Sequence, residues 1–327
     1  MSRPTKIVLT KIIISVALIF YLFFIRRIDI RQVLQSLKHA DVFWTIAAVT
    51  SLLLGRIITA YRWQFLLSAQ KIYSSIKTLL TSLFVANFFN LFLPSTIGGD
   101  AIRAYDISRE SRRPGTSVMT IVIERMMGGF ALLVIALVSL VFIYFVQRSF
   151  WEKYNISDWV WPVIGLFGCM LIGYFIVSSN RLWNGLVKML EHIKLTRLAE
   201  KVKKTGDILI ALESKPKNFH ISILLSFALQ INVILYHYIM ALALHLPIPF
   251  IYFCLIVPLI FLVLLFPFSI NGIGIRESAF LFFFHNFVSS PQAIAFSWLQ
   301  FFTTLFLGAV GGLVYVARKG PVSEKSE

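Results

Sequence analysis

From Asn218 to Ile275, and again from Ser278 to Ala317, the chain carries no Asp, Glu, Lys or Arg. A helix or strand on a soluble core presents one polar face to water, so a soluble fold does not sustain runs of that length. A bilayer core about 30 Å thick is crossed by roughly 20 apolar residues in helix. Each run is long enough for one or two crossings. Composition agrees, with 58% of the 327 residues apolar and 14% charged, where a soluble domain has about 25% charged. The sequence therefore specifies an all-α integral membrane protein.

The N-terminus has the outline of a signal peptide, with Arg3, Lys6 and Lys11 ahead of an apolar stretch from Ile12 to Ile25. No small-x-small cleavage pattern follows, and the stretch ends in Phe23, Phe24, Ile25, Arg26 and Arg27, so an uncleaved first helix is expected. Cys169 and Cys254 both lie in apolar segments and imply no disulfide framework.

Candidate spans are 8–25, 42–60, 117–146, 159–180, 218–244 and 292–317. The apolar pieces 77–93 and 250–266 differ from these. Each runs into a proline, then a glycine-containing turn, then an arginine: Pro94 to Gly98, Gly99, Asp100 and Arg103, and Pro267 to Gly272, Gly274, Arg276 and Glu277. Counted from each proline, Ile97 matches Ile270, Gly99 matches Gly272, Ile102 matches Ile275 and Arg103 matches Arg276. Such short strings also arise by coincidence in a hydrophobic chain. Proline and glycine break helices, and broken backbone at membrane depth must face protein or a wet cavity. The simplest construction is a pair of re-entrant hairpins. Three crossings separate them, so they open on opposite sides, as in an inverted repeat with a binding site near the midplane. The expected architecture is about six full transmembrane helices plus two oppositely oriented re-entrant hairpins; eight transmembrane helices is the alternative.

Basic residues set the orientation. The linker 181–217 holds nine of the 31, and 245–250 holds none. With that linker and both termini in the cytoplasm, 22 lie inside, six outside (Arg26, Arg27, Arg31, Lys38, Arg148 and Lys153) and three in helices or the turn (Arg56, Arg125 and Arg276). Full crossing by 77–93 and 250–266 would change the split to 17 inside and 11 outside. Leu182, Leu186, Leu190, Ile193, Leu198 and Val202 form an apolar stripe in the linker, which reads as an amphipathic helix on the inner leaflet. The net charge of +16 thus points to anionic lipid headgroups and not to nucleic acid. One membrane domain (1–317) and a short polar tail (318–327) complete the organisation; no stretch outside the membrane is long enough for a soluble catalytic core.

Ionisable residues within spans are functional candidates. Glu124 and Arg125 lie about two turns into the long helix 117–146, Arg56 lies late in the second helix near Arg62 and Trp63, and Asp100, Arg103, Arg276 and Glu277 follow the glycine turns. Two roles are open. Asp100, Glu124 and Glu277 can neutralise Arg103, Arg125 and Arg276 as a structural network; alternatively, the guanidiniums can hold a phosphate bidentately, aided by the helix N-termini after each turn. The six histidines show no metal-ligand spacing, and His237 and His245 read as core residues on apolar helices. Gly98-Gly99-Asp100 lacks the Gly-Lys-Ser/Thr of a P-loop. No cofactor, metal or catalytic residue is expected.

Tyr61 to Leu67, Asn90 to Pro94, Gly98 to Asp100, Arg103 to Tyr105, Glu124-Arg125 and Gly272 to Glu277 follow one another in order. In this the chain resembles the lysylphosphatidylglycerol synthase transmembrane family, the flippase-like domain of the multiple peptide resistance factor, over about residues 8–317. The resemblance implies a bacterial or archaeal inner-membrane protein. It adds Arg62 and Asn90 to the candidate substrate-binding residues. In full-length relatives this domain moves an aminoacylated phospholipid while a cytosolic domain attaches the amino acid; with the sequence ending at Glu327, aminoacyl transfer is not expected of it. The expected activity is lipid translocation, with the phosphate of an anionic or aminoacylated phospholipid, or of a polyprenyl phosphate, held by Arg103 and Arg276. A membrane glycosyltransferase using a lipid-phosphate donor and a non-transporting scaffold are the alternatives. A second copy, or a separate lipid-modifying enzyme, is a possible partner.

Overall fold

The computed structural model describes residues 13–92, 97–154, 156–157, 160–161, 163–165, 167–168, 180–192, 195–196, 215–265 and 272–318. Every regular element among them is a helix: α1 (Ile13–Ile25, its last turn π-helical), α2 (Ile30–Lys38), α3 (Val42–Ala69), α4 (Ile76–Phe92), α5 (Ile97–Ser111), α6 (Pro114–Val146), α7 (Arg148–Lys153), α8 (Asn180–His192), α9 (Pro216–Ala243), α10 (Phe250–Leu265), α11 (Ile275–Phe284) and α12 (Ser290–Ala317). Helices α3, α6, α9 and α12 are long and apolar enough to cross a membrane; α1, α4 and α10 are shorter apolar helices. The chain is an all-α, multi-pass membrane protein. Most of the expected span 159–180, the linker positions Ile193, Leu198 and Val202, and the turn residues Pro94 and Pro267 lie outside the described residues.

Helix ends follow local chemistry. The Asp29 carboxylate accepts the Arg31 backbone N–H at 2.8 Å and caps α2. Pro114 opens α6, where its missing N–H costs nothing. Along α6 the outward residues Val138, Val141, Phe142 and Phe145 are apolar and exposed. On a soluble protein such a surface would be a liability; here it is the face offered to lipid.

The described chain forms two compact units, Met1–Arg56 with Thr81–Ile102 and Ile231–Glu327, and Ile57–Leu80 with Arg103–Gln230. In the first, α4 and α12 approach closely because α12 carries glycine where α4 passes: a Cβ at Gly308 would strike Leu91, and one at Gly311 the Phe84 carbonyl. Small residues of this kind let apolar helices touch backbone to backbone. Phe253, Phe280, Phe284 and Phe296 form a buried aromatic core, with Phe280 and Phe296 centroids 4.8 Å apart. The chain turns back after α10: the Tyr252 hydroxyl, near the start of α10, donates to the Phe283 carbonyl at the end of α11 (2.9 Å). Ten residues of α11 rise about 15 Å, half of a bilayer core. In the second unit Leu66, Ala69, Met119 and Ile123 are the buried core, joining the end of α3 to the start of α6.

Helices α3 and α9 pair antiparallel. In the first unit the Asp41 N–H donates to the Ala243 carbonyl (2.8 Å) and Ser51 pairs with Asn232 (3.1 Å). In the second, Arg62 meets Ser226 (3.2 Å) and Asn218 donates to Ser68 (2.8 Å).

Candidate functional site

Arg62, Arg103 and Glu124 form one buried charged cluster in the second unit, and Arg276 and Glu277 another in the first. In the second unit Glu124, on α6, accepts from two arginines. Arg62 Nη2 donates to its Oε1 at 2.7 Å and Arg103 Nη2 to its Oε2 at 2.5 Å. Exposure is 4%, 7% and 3% for Arg62, Arg103 and Glu124, so the three groups are removed from solvent together. Three helices supply them: α3 brings Arg62, α5 Arg103 and α6 Glu124. Arg62 is steadied by Ser226 on α9, and the Arg103 guanidinium lies 4.2 Å from the centre of the buried Trp63 ring, a cation–π contact. Trp63 follows Arg62 on α3, so one helix supplies both an arginine of the triad and the ring beneath the other.

Room for this arrangement comes from Gly128, one turn beyond Glu124. A Cβ there would lie 2.9 Å from Gln230 Nε2 and 3.5 Å from Arg62 Nη1. Two cations share one anion, so the three groups together carry one positive charge. Two further donors, Arg62 Nε and the Trp63 indole N–H, are buried without an acceptor among the described residues. Asp106, on α5 one turn beyond Arg103, is a buried carboxylate, 2% exposed.

In the first unit, Arg276 and Glu277 open α11. Arg276 Nη2 donates to Glu277 Oε1 (3.1 Å), Arg276 Nε to Ser297 Oγ (3.1 Å), and Ser297 Oγ to Glu277 Oε1 (2.9 Å). Glu277 Oε2 accepts the Gly274 N–H at 2.6 Å. The Arg276 guanidinium lies 5.4 Å from the Phe301 ring centre. This cluster is one cation to one anion, closed by hydrogen bonds. Gly272 and Gly274 have φ of +73° and +84°, the left-handed region that glycine enters without steric cost. A Cβ at Gly274 would also collide with Leu18 of α1.

The first glycine pair serves differently. Gly98 and Gly99 lie within the first turn of α5. Asn90, near the end of α4, accepts the Gly99 N–H at 2.7 Å, and a Cβ at Gly99 would come within 2.6 Å of the Ala86 carbonyl. At the far end of the same two helices Ser74 donates to Glu110 (2.9 Å), so α4 and α5 form a helical hairpin. Asn90 therefore works at the hairpin tip. Asp100 and Arg56 are half-buried and Arg125 is exposed, off the face that Glu124 occupies. Glu124 thus takes Arg62 and Arg103, the second of which the sequence sets against the acids.

Ser226, Trp63, Ser297 and Phe301 support the two clusters and were not named as site residues from sequence. A signal for the α9 residues was present: Ser222, Ser226 and Gln230 recur every four residues along an uncharged helix, placing polar groups on one face. His237, buried on α9, donates from Nδ1 to the Val233 carbonyl (2.7 Å), with Gln300 Nε2 3.2 Å from its Nε2. His245, expected in the core, is exposed beyond the end of α9 with φ +52°.

No curated protein and no solved structure matches the chain. Residues 8–312 match the lysylphosphatidylglycerol synthase TM region, a span that includes every residue of both clusters. The protein is a multi-pass membrane member of the lysylphosphatidylglycerol synthase TM region family.

Proposed function

We propose that the chain is a lipid translocase, moving a phosphate-bearing headgroup between the leaflets of a bacterial or archaeal cell membrane, and that the Arg62–Glu124–Arg103 triad recognises the phosphate. One observation carries the proposal: two buried guanidiniums share a single carboxylate, beside two buried donors, Arg62 Nε and Trp63 Nε1, with no acceptor among the described residues. A guanidinium fork matches the oxygens of a phosphate, and a donor-rich, acceptor-poor site is what such an anion requires. Glu124 holds the two arginines in place when no headgroup is bound. The acyl or prenyl tails stay in the bilayer throughout, so only the headgroup needs a polar path. On this reading Arg276 and Glu277, already satisfied by one another, Ser297 and the Gly274 N–H, lock the turn before α11 and do not receive the headgroup.

Reconstituted protein with labelled phosphatidylglycerol, its lysyl ester and a polyprenyl phosphate tests the proposal by leaflet exchange of each lipid. Exchange of at least one is expected. Arg103→Gln should abolish it, and Arg103→Lys, which keeps the charge and loses the fork, should leave it impaired. Full exchange by folded Arg103→Gln protein would remove the triad from the mechanism. Flat traces for all three lipids would favour a scaffold, and a lipid product of altered mass would favour a glycosyltransferase.

A further inference from the structure

Three turns distant in sequence meet at one end of the second unit. Arg113 Nη1, just after α5, donates to the Gln70 carbonyl after α3 (3.4 Å), and Lys215 Nζ, just before α9, donates to the Ser68 carbonyl (3.1 Å). A cleft of about 450 Å³ opens there, within the range of small-ligand sites. Gln64, Ser68, Ser74 and Ser75 give it polar lining; Phe65 and Tyr73 give it aromatic walls. Its depth in a bilayer follows from the helices that end at it. Two membrane-crossing helices stop here, α3 at Ala69 and α9 at its first residues, which sets the cleft at the boundary between hydrocarbon and headgroups. Tyr73, 75% exposed, suits that boundary.

The charges around the cleft are mostly basic and include the carboxylate of Glu110, hydrogen-bonded to the lining residue Ser74. Lys71, Arg113 and Lys215 make no ion pair among the described residues. Backbone geometry adds a second, independent sign. Lys71 and Arg112 close α3 and α5 with φ of +59° and +57°, and the Ile72 N–H returns to the Leu67 carbonyl (3.0 Å), the pattern of a left-handed helix cap. Glycine is the residue that fills such a cap most cheaply. Two neighbouring turns thus carry a basic side chain at positions where glycine would cost less.

We infer that this cleft and the basic rim beside it form a surface site for the phosphate of an anionic phospholipid headgroup, held by Lys71, Arg113 and Lys215 and separate from the buried triad. The inference does not depend on translocation: a chain that moves no lipid can still hold one at its rim.

The test uses the full chain in detergent with Cys169 and Cys254 replaced and an environment-sensitive fluorophore on Ser75→Cys. Short-chain phosphatidylglycerol, short-chain phosphatidylcholine and inorganic phosphate are titrated separately. Phosphatidylglycerol should saturate the signal at least tenfold more tightly than phosphatidylcholine. Lys71→Gly/Arg113→Gln should weaken it about thirtyfold, from roughly one kcal/mol per basic residue near a lipid surface. Lys71→Gly relieves the left-handed lysine, so it tests the charge without loss of fold. Equal response to the two lipids, or an unaltered signal in the double variant, would overturn the inference. Saturation by inorganic phosphate in the same range would assign a free-anion site instead of a headgroup site.

Discussion

Glu124 shows what single residues can and cannot reveal before the fold is known. Its presence in an apolar helix marks it as costly and therefore retained for a reason. Arg103 stood among the cations that the sequence sets against the acids; Arg62 did not, because it is 62 residues away in sequence and reaches Glu124 only when α3 and α6 come together. Arg125, its neighbour in sequence and another member of that expected network, is exposed on another face, since consecutive helical residues are turned about 100° apart. A buried carboxylate between two guanidiniums makes a specific prediction. Glu124→Gln removes the anion and leaves two buried cations facing one another, a loss of about 3–5 kcal/mol by the standard of broken buried pairs. Thermal unfolding in detergent should show it. Arg62→Gln added to Glu124→Gln should recover part of the loss, because one of the two stranded cations is gone; strictly additive losses would mean the pair is not coupled.

At the scale of elements, the hydrophobic pattern located the long helices well: 42–60, 117–146, 218–244 and 292–317 each fall within or against α3, α6, α9 and α12. The polar end of α3 was harder. The expected span ended at residue 60, yet α3 continues to Ala69, with Arg62 paired to Glu124 and Gln64 donating to the Ser74 carbonyl (2.9 Å). The matched Pro/Gly segments are alike in sequence and unlike in geometry. Gly272 and Gly274 supply left-handed backbone before α11, whereas Gly98 and Gly99 are helical and serve close approach to α4. No count of matching letters separates those uses. What both segments share is a chain that doubles back, and α11 is too short at ten residues to reach the far side of a bilayer core. Single cysteines at Pro247, ahead of α10, and at Ser289, after α11, should therefore react with an impermeant reagent from the same face of sealed vesicles. Reaction from opposite faces would show that the α10–α11 segment crosses.

Across the whole molecule the distribution of charge is the property that relates the chain to its membrane. Contacts within the second unit bring the turns around Gln70, Arg113 and Lys215 to one end, and with them Lys71, Lys77, Arg109, Arg112 and Lys217. In the first unit, the Asp41 N–H meets the Ala243 carbonyl at turns where 245–250 carries no basic residue. Lysine and arginine are retained on the cytoplasmic side during insertion, so the basic turns should be cytoplasmic and the turn after α9 external. Arg26, Arg27 and Arg31 run against that assignment, since they follow α1 on the side with fewer charges. Arg26 Nε donates to the Tyr21 hydroxyl (3.2 Å), and the amphipathic α2 follows, so these residues sit in a surface segment more than in a loop that must be carried across. Reporter fusions decide between the two orientations. Green fluorescent protein joined after Glu327 should fluoresce and alkaline phosphatase joined after Lys153 should be active, because α6 lies between the basic turn at Arg113 and Lys153 and crosses once. A dark C-terminal fusion with an inactive phosphatase would place the basic turns outside and remove the charge argument for the rim site's access to cytoplasmic anionic lipid.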